Sequence, residues 1–251
     1  MSTDTILETR GLTKEFSGFL AVSDVNLKVR RGSIHALIGP NGAGKTTVFN
    51  LLTRFLTVTA GTIWFKGEEI TGQRPAQIAR RGIVRSFQIS STFPHMSVLE
   101  NVRVALQRKL TSSFHFWRSE RGLHALDARA HELLAQVELA PYASLRAADL
   151  PYGRKRALEL ATTLAIEPEL LLLDEPTQGM AHEDVGRVVE LIRRVAVNRT
   201  VLMVEHNLSV VEDLCDTITV LARGAVLAEG GYAEIARNPQ VLEAYVGVVD
   251  E

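Results

Sequence analysis

The sequence predicts an α/β fold with a parallel sheet built around a phosphate-binding loop, and three apolar runs support that prediction. The first run, Ile34–Ile38, is typical of a buried strand and leads directly into a glycine-rich stretch ending in Lys-Thr-Thr. The second run, residues 170–173, is four leucines followed by Asp174-Glu175. The third, residues 201–204, is followed by Glu205-His206. Because ligands bind at the carboxyl ends of parallel strands, polar residues in these places predict one shared site.

The glycine-rich stretch has the residue types and spacing of a phosphate-binding loop. Its glycines permit a tight turn whose backbone N–H groups point inward at an anion, and the following helix directs its positive end to the same place. An ordinary glycine-rich turn is the alternative, but every motif position and both flanks match. We therefore predict binding of a nucleoside triphosphate by Gly39, Pro40, Asn41, Gly42, Ala43, Gly44, Lys45, Thr46 and Thr47.

Size and composition limit the class of protein. The chain has 251 residues, of which 46% are hydrophobic, so a sizeable core is available. There are 28 Lys and Arg against 29 Asp and Glu, a net charge of -1, and nothing in this balance indicates a nucleic-acid partner. The single cysteine, Cys215, allows no internal disulfide and fits a reducing compartment. Without a membrane-spanning run or a signal peptide, we expect a soluble, cytoplasmic chain whose membrane role would need a partner.

The first third of the chain is predicted to consist mostly of strands. Residues 5–38 have strand-like alternation, and residues 61–67 form a strand that ends in a turn. Residues 75–81 form a short helix stopped by Gly82, and residues 83–88 form a further strand ending at Gln88. Phe16 has two interpretations on position alone: it stacks on a nucleobase, or it is an ordinary core or surface aromatic residue.

The middle of the chain, residues 90–165, is predicted to be mostly helical. A capping box at residues 97–100 opens a helix that continues to Leu106, and a second helix covers residues 127–137. Residues 111–122 are irregular and carry three aromatic side chains, which contact either a partner or the chain's own domain. An Ala- and Leu-rich helix then runs to Ile166.

The last third returns to alternating strands and helices. Residues 185–196 have apolar positions on one helical face, and Arg223-Gly224 joins two strands of a hairpin. The tail, residues 232–245, is predicted to be helical and broken at Pro239.

The polar strand ends favour catalytic roles, and the alternative is that Asp174 and Glu175 merely begin the next loop. Asp174 at a strand end beside a phosphate-binding loop can hold the Mg²⁺ that bridges phosphates, together with the Thr46 hydroxyl. The adjacent Glu175 can accept a proton from an attacking water. His206 and Gln88 are uninformative alone, and gain weight only from their places at strand ends around the same site.

The order of these motifs resembles that of ATP-binding-cassette ATPases over nearly the whole chain. The resemblance includes a signature segment, residues 150–154 (Leu-Pro-Tyr-Gly-Arg), shortly before the acidic strand. It implies a single domain, 1–251, in which residues 1–89 and 166–230 form a P-loop NTPase core with an antiparallel β subdomain. Residues 90–165 would form an inserted helical subdomain with the signature segment, and residues 231–251 a helical tail. It also implies a head-to-tail dimer that holds ATP between two chains.

The same resemblance implies roles for individual residues. Lys45 binds the outer phosphates, Glu175 is the general base, and His206 contacts the γ-phosphate. Gln88 senses the nucleotide beside Mg²⁺ and couples to a membrane partner. Phe16 stacks on adenine. In the signature segment, Tyr152, Gly153 and Arg154 contact the ATP held by the other chain.

Two segments depart from the family pattern. Pro151 replaces a serine whose hydroxyl would reach the opposite γ-phosphate, and Arg154 replaces a glutamine. Pro is well tolerated at the first turn of a helix, so we expect the fold to persist and hydrolysis to be slower or differently tuned. Residues 177–181 lack the aspartate that many members carry there.

Three details resemble one branch of the family, the ATPases of branched-chain amino acid importers and of related urea and short-amide importers. They are Tyr152-Gly153, the run 85–88 (Arg-Ser-Phe-Gln), and the tail from Tyr232 to Gly247. The resemblance implies integral membrane permeases, a second identical or different ATPase chain, and indirectly a solute-binding protein. The chain would act at the cytoplasmic face of the inner or plasma membrane. Alternatives are another amino-acid importer, a non-transport cassette protein acting on ribosomes or DNA, and a regulatory module without turnover.

Overall fold

The computed structural model describes residues 4–86, 92–107, 126–180 and 182–246. These residues fall into two compact units. The first comprises Met1–Ile83, Glu169–Pro176 and Ala196–Glu251, and the second comprises Val84–Pro168 and Thr177–Val195. In the described part of the chain, no helix has both the length and the apolar composition needed to cross a membrane.

The strands are β1 (Thr5–Phe16), β2 (Phe19–Val25), β3 (Lys28–Arg30), β4 (Ile34–Ile38), β5 (Ala60–Phe65), β6 (Glu68–Glu69), β7 (Ile83–Ser86), β8 (Leu170–Asp174), β9 (Thr200–Val204), β10 (Thr217–Ala222) and β11 (Ala225–Gly230). The helices are α1 (Lys45–Leu52), α2 (Pro75–Arg81), α3 (Val98–Leu106), α4 (Asp127–Gln136), α5 (Tyr152–Leu164), α6 (His182–Ala196), α7 (Leu208–Leu214), α8 (Tyr232–Ile235) and α9 (Pro239–Val246). Short 3-10 turns cover Ala140–Tyr142 and Ala147–Asp149.

An antiparallel sheet in the first unit has the order β2-β1-β5-β6, with β3 also pairing with β1. β1 and β2 are joined by Ser17-Gly18, and both residues have positive φ, 48° and 90°. A two-residue connection of this kind matches the right-handed twist of the strands it joins. The predicted strands of residues 5–38 are therefore confirmed, and they include an antiparallel layer.

A second sheet in the same unit runs in the order β11-β10-β4-β9-β8. β10, β4, β9 and β8 are parallel, whereas β11 is the antiparallel partner of β10. The four parallel strands are buried apolar runs, as expected for a sheet covered on both faces. Because these strands are parallel, the phosphate-binding loop, Asp174-Glu175 and Glu205-His206 all leave the sheet at the same edge.

The core of the first unit lies between these layers. Phe49 and Leu52 of α1 and Phe65 of β5 are fully buried with the leucines of β4, β8 and β9. Burying a side chain of this size contributes about 2 kcal/mol to the free energy of unfolding. α1 is thereby held against the sheet, which places its first turn at the carboxyl edge.

The second unit is mostly helical. α3 begins with the predicted capping box, in which the Glu100 backbone N–H donates to Ser97 Oγ over 3.2 Å. Asn101 is buried and fastens the preceding loop, because its side chain both accepts from the Phe93 N–H (2.7 Å) and donates to the Phe93 carbonyl (3.1 Å). α4 and α5 supply further buried leucines, among them Leu133 and Leu158.

Most of the sequence-predicted elements are confirmed to within a few residues, including the hairpin at Arg223-Gly224 and the helical tail that resumes at Pro239. Gly82 ends α2 with φ 106°, as expected of a left-handed C-cap. The position of Pro151 differs from the prediction: it is the N-cap of α5 and not a residue of its first turn. The predicted irregular stretch 111–122 and Gln88 lie outside the described residues.

Candidate nucleotide-binding site

The phosphate-binding loop, residues 39–47, depends on glycine at two places. Gly39 has φ 147°, and a Cβ added there would lie 2.1 Å from the Leu221 carbonyl oxygen. Gly44, the N-cap of α1, has φ 99°, and a Cβ there would lie 2.6 Å from the Ala21 carbonyl oxygen. Real Cβ atoms do not approach backbone this closely, so the loop can fold against β2 and β10 only with glycine at these positions.

The turn between β10 and β11 supports the loop from behind. The Gly224 N–H donates to the Ala43 carbonyl over 3.1 Å, and the Ser23 N–H donates to the Gly224 carbonyl over 2.8 Å. These two bonds connect the loop, the turn and β2. Sequence reasoning identified Arg223-Gly224 as a turn but missed this contact, because no local pattern indicates which distant backbone a turn will meet.

Lys45 is the first residue of α1, and its side chain is buried in the loop. Its ammonium donates to the carbonyl oxygens of Gly39 (2.6 Å) and Pro40 (2.8 Å). Burial lowers the pKa of Lys45, and the charges of Glu175 and Asp174 oppose that decrease. The result is a cation enclosed by the loop, which suits a bound polyphosphate.

Glu175 follows the carboxyl end of β8 in a left-handed backbone conformation, with φ 47°. Its N–H donates to the Val204 carbonyl of β9 over 2.9 Å, and the adjacent Asp174 is paired in register with the same residue. A left-handed conformation at a non-glycine residue costs about 1–3 kcal/mol, and such residues cluster at functional sites. The sheet thus redirects the chain so that two successive carboxylates occupy this edge.

His206 completes the group of polar residues at the sheet edge. Its Nε2 lies 2.8 Å from Glu175 Oε1. Since an ionised carboxylate only accepts hydrogen bonds, His206 Nε2 is the donor. The imidazole is 43% exposed and the glutamate side chain 17%, so both can be reached from solvent. This contact confirms that the β8 and β9 ends converge, as predicted from the sequence.

The residues present fit Mg²⁺ held jointly with a nucleotide. Thr46 is exposed in the first turn of α1, and Asp174 ends β8 in the same unit. Within the described ranges, no group of three His, Cys, Asp or Glu side chains could hold a metal ion by itself. Mg²⁺ prefers few protein ligands and completes its octahedron with phosphate and water oxygens, which matches one hydroxyl and one carboxylate.

Phe16, the last residue of β1, is 41% exposed, so its ring is available to a planar ligand. The Lys14 ammonium lies 4.9 Å from the ring centroid. A nucleobase that stacks on the Phe16 ring would either displace the Lys14 ammonium from the ring or contact it as well.

The signature segment belongs to the second unit, where α5 begins immediately after Pro151. The Tyr152 hydroxyl donates to the Gln178 carbonyl over 3.1 Å, and the Arg154 guanidinium lies 4.0 Å from the centroid of the Tyr142 ring. The first turn of α5 lines a cavity of about 550 Å³, to which Asp184 and Arg187 also contribute. Sequence reasoning did not anticipate Tyr142 as the partner of Arg154.

Comparison with known proteins identifies the family. Residues 22–178 match the ABC transporter family, and residues 225–251 match the family described as branched-chain amino acid ATP-binding cassette transporter. The chain is 43% identical over 252 residues to the high-affinity branched-chain amino acid transport ATP-binding protein BraF of Pseudomonas aeruginosa, covering 96% of this chain and 98% of BraF. It is 41% identical to the corresponding protein LivG of Escherichia coli strain K12, covering 96% and 98%.

Solved structures agree with this result. A crystal structure of the ADP conformation of an ATP-binding cassette of an ABC transporter superposes with a TM-score of 0.84 at 28% identity, covering 97% of this chain and 99% of that one. A nucleotide-free ATP-binding cassette from an ABC transporter gives a TM-score of 0.83 at 28% identity, covering 96% and 98%. From its sequence and its fold, the chain belongs to the ABC transporter family, as an ATP-binding cassette.

Proposed function

We propose that this chain is the ATP-hydrolysing subunit of a membrane importer for branched-chain amino acids. The observation that carries the proposal is the 2.8 Å contact between His206 and Glu175 at the sheet edge that also carries Lys45. The relatives BraF and LivG, whose names state branched-chain amino acid transport, support the choice of substrate.

The chain's own residues perform distinct steps in the proposed reaction. The backbone N–H groups of the loop and the Lys45 ammonium bind the phosphates of ATP. Mg²⁺, bound with ATP by Thr46 and Asp174, would neutralise charge that develops on the phosphate oxygens. Glu175 accepts the proton of the attacking water as general base. The His206 Nε2–H group donates a hydrogen bond to the γ-phosphate, in place of the hydrogen bond that it makes to Glu175.

Two chains are proposed to enclose ATP, with the signature segment of each facing the phosphate-binding loop of the other. Tyr152, Gly153 and Arg154 then provide a helix N-terminus, a backbone N–H and a cation for the opposite nucleotide. Closure happens only with ATP bound, because these contacts exist only in the closed state, and hydrolysis allows reopening. Gln88 would transmit this change to a permease.

An ATPase that drives import needs partner proteins that cross the membrane and deliver the solute. The proposed partners are integral membrane permeases, a second ATPase chain of the same or a different kind, and indirectly a solute-binding protein. The chain would be peripheral, at the cytoplasmic face of the inner or plasma membrane. No nucleic acid is expected, since the net charge is -1.

A pull-down in mild detergent tests the partners. Tagged protein should co-purify with two hydrophobic permeases. Vesicles in which the ATPases face the lumen should take up leucine, isoleucine and valine when ATP is enclosed inside and the solute-binding protein is added outside. Uptake of urea and not of these amino acids would show that the proposed substrate is wrong, while the proposed ATPase role would stand. Ribosomal proteins or nucleic acid without a permease would overturn the transport proposal.

A further inference from the structure

A buried carboxylate lies in the middle of α5, the helix that begins at the signature segment. Glu159 is only 1% exposed, and the nucleotide chemistry described above does not use it. Removing a carboxylate from water is costly unless it is paired and hydrogen-bonded, so its partners indicate what the position does.

Both oxygens of Glu159 are engaged by side chains of the second unit. Arg156 Nη1 donates to Oε2 over 3.0 Å, and the Ser86 hydroxyl donates to Oε1 over 3.2 Å. The Arg156 side chain is only 10% exposed, and its Nε has no hydrogen-bond partner among the residues that the structure describes. Burial raises the pKa of Glu159, and the contacts with Arg156 and Ser86 oppose that rise.

These contacts join two stretches of the chain for which we propose roles in nucleotide binding and coupling. Ser86 is the last residue of β7, two positions before Gln88. Arg156 lies one helical turn beyond Tyr152 and belongs to the same helix as Glu159. An apolar side chain at position 159 would fill the space at lower desolvation cost, but it would not connect the helix to Ser86.

We propose that Glu159 is a positioning residue that ties the signature helix α5 to Ser86 at the end of β7, so that a displacement of this end of β7 also moves the signature segment. The inference rests on the proposed function and adds a part to it. When a permease displaces the end of β7, the Ser86–Glu159 bond transmits the displacement to the helix that carries Tyr152 and Gly153.

The test removes the connection while keeping the buried ion pair. Ser86→Ala deletes one hydroxyl and leaves the Arg156–Glu159 pair in place, so folding should survive. Ser86→Thr keeps a hydroxyl and should therefore retain the stimulated rate of ATP hydrolysis that Ser86→Ala loses. Ser144→Ala, at an exposed serine of the same unit, is the matched control. ATP hydrolysis is measured for the purified ATPase alone and for the complex with permeases and solute-loaded binding protein, along with the melting temperature.

Because a bond to a charged acceptor is lost, we expect Ser86→Ala to lower kcat of the stimulated complex by about tenfold. The ATP KM and the unstimulated rate should stay close to those of the wild type. The melting temperature should fall by a few degrees, because one oxygen of a buried carboxylate loses its partner. Stimulation equal to wild type in Ser86→Ala overturns the inference, and so does a parallel fall in stimulated rate, unstimulated rate and melting temperature, which indicates a structural role only. If the wild-type complex itself hydrolyses no ATP, the proposed function fails together with the inference, and that result is distinct from both.

Discussion

His206 Nε2 lies 2.8 Å from Glu175 Oε1, although the two residues are 31 positions apart in the sequence. The contact exists because β8 and β9 are parallel neighbours and end at the same level. It links the proposed general base to the proposed γ-phosphate ligand. Each side chain therefore orients the other at the edge of the sheet where we propose that the terminal phosphate binds.

Replacing Glu175 by Gln should abolish hydrolysis and preserve nucleotide binding. The amide has the same shape and cannot accept a proton from water, so kcat should fall by about a hundredfold or more. Glu212→Gln is the matched control, because Glu212 is an exposed acid on α7. The measurements are phosphate release and ATP affinity in the purified complex. Equal hydrolysis by Glu175→Gln and wild type would refute the assignment of the base.

Comparing Gly39→Ala with Gly42→Ala should separate two reasons for glycine in the loop. At Gly39 an added Cβ would clash with neighbouring backbone, whereas at Gly42 only the positive φ disfavours another residue. A Cβ at Gly39 would lie 2.1 Å from a carbonyl oxygen, whereas a Cβ at Gly42 would meet nothing within 4 Å, with φ 76°. We expect Gly42→Ala to cost about 1–2 kcal/mol of unfolding free energy from its φ alone, and Gly39→Ala clearly more. Urea denaturation and ATP affinity report both effects. A Gly39→Ala protein as stable as Gly42→Ala would contradict the geometry.

The buried imidazole of His35 should make the chain less stable in mild acid. Its Nε2 lies 2.7 Å from Thr219 Oγ1, which in turn donates to Glu229 over 2.7 Å, so Nε2 carries the proton. Burial, with a smaller contribution from the charge of Arg30, lowers the pKa of His35 from 6.5 to about 4. Between these two values the unfolded chain binds more protons than the folded one, so stability falls as pH falls.

The expected loss between pH 7 and pH 4 is about 3 kcal/mol from this residue. His35→Gln cannot titrate in this range, so its unfolding free energy should change less with pH than that of the wild type. Urea denaturation of both proteins at several pH values measures the difference. Parallel pH curves for the two proteins would mean that His35 does not keep its neutral form in the fold.

Cys215 should react slowly with thiol reagents until the chain unfolds. Burial raises the pKa of its thiol to about 12, with further contributions from Asp216 and Glu205, and the Sγ lies 3.7 Å from Met203 Sδ. Only the thiolate reacts, so alkylation at pH 8 should be roughly a thousandfold slower than in the unfolded chain. Labelling with and without urea, followed by mass spectrometry, checks this. Comparable rates in both conditions would place the thiol in contact with solvent.

Replacing Pro151 by Ser should stabilise α5 and test the role of the signature segment. Pro151 is the N-cap and makes no side-chain capping bond, whereas a serine hydroxyl could accept from a backbone N–H of the first turn. We expect a gain of about 1 kcal/mol in unfolding free energy. A changed hydrolysis rate or ATP affinity would support contact between this position and nucleotide. If the hydrolysis rate and the ATP affinity stay unchanged while stability rises, position 151 does not contact the nucleotide.

Local sequence patterns predicted most of the elements and much of the proposed site. Buried parallel strands appear as unbroken apolar runs, and polar residues at their ends mark the ligand edge, so the positions of Lys45, Asp174, Glu175 and His206 were predictable. The capping box at Ser97 and the C-cap at Gly82 were predictable for the same reason, because each depends on neighbours within one helical turn.

Contacts between distant residues were decided by the tertiary structure. The bonds from Gly224 to Ala43 and from Ser86 to Glu159 join residues 181 and 73 positions apart, and no local pattern encodes either partner. The same holds for the stacking of Arg154 on Tyr142. The physical reason is that propensity and periodicity act over a few residues, whereas these contacts depend on how whole strands and helices pack.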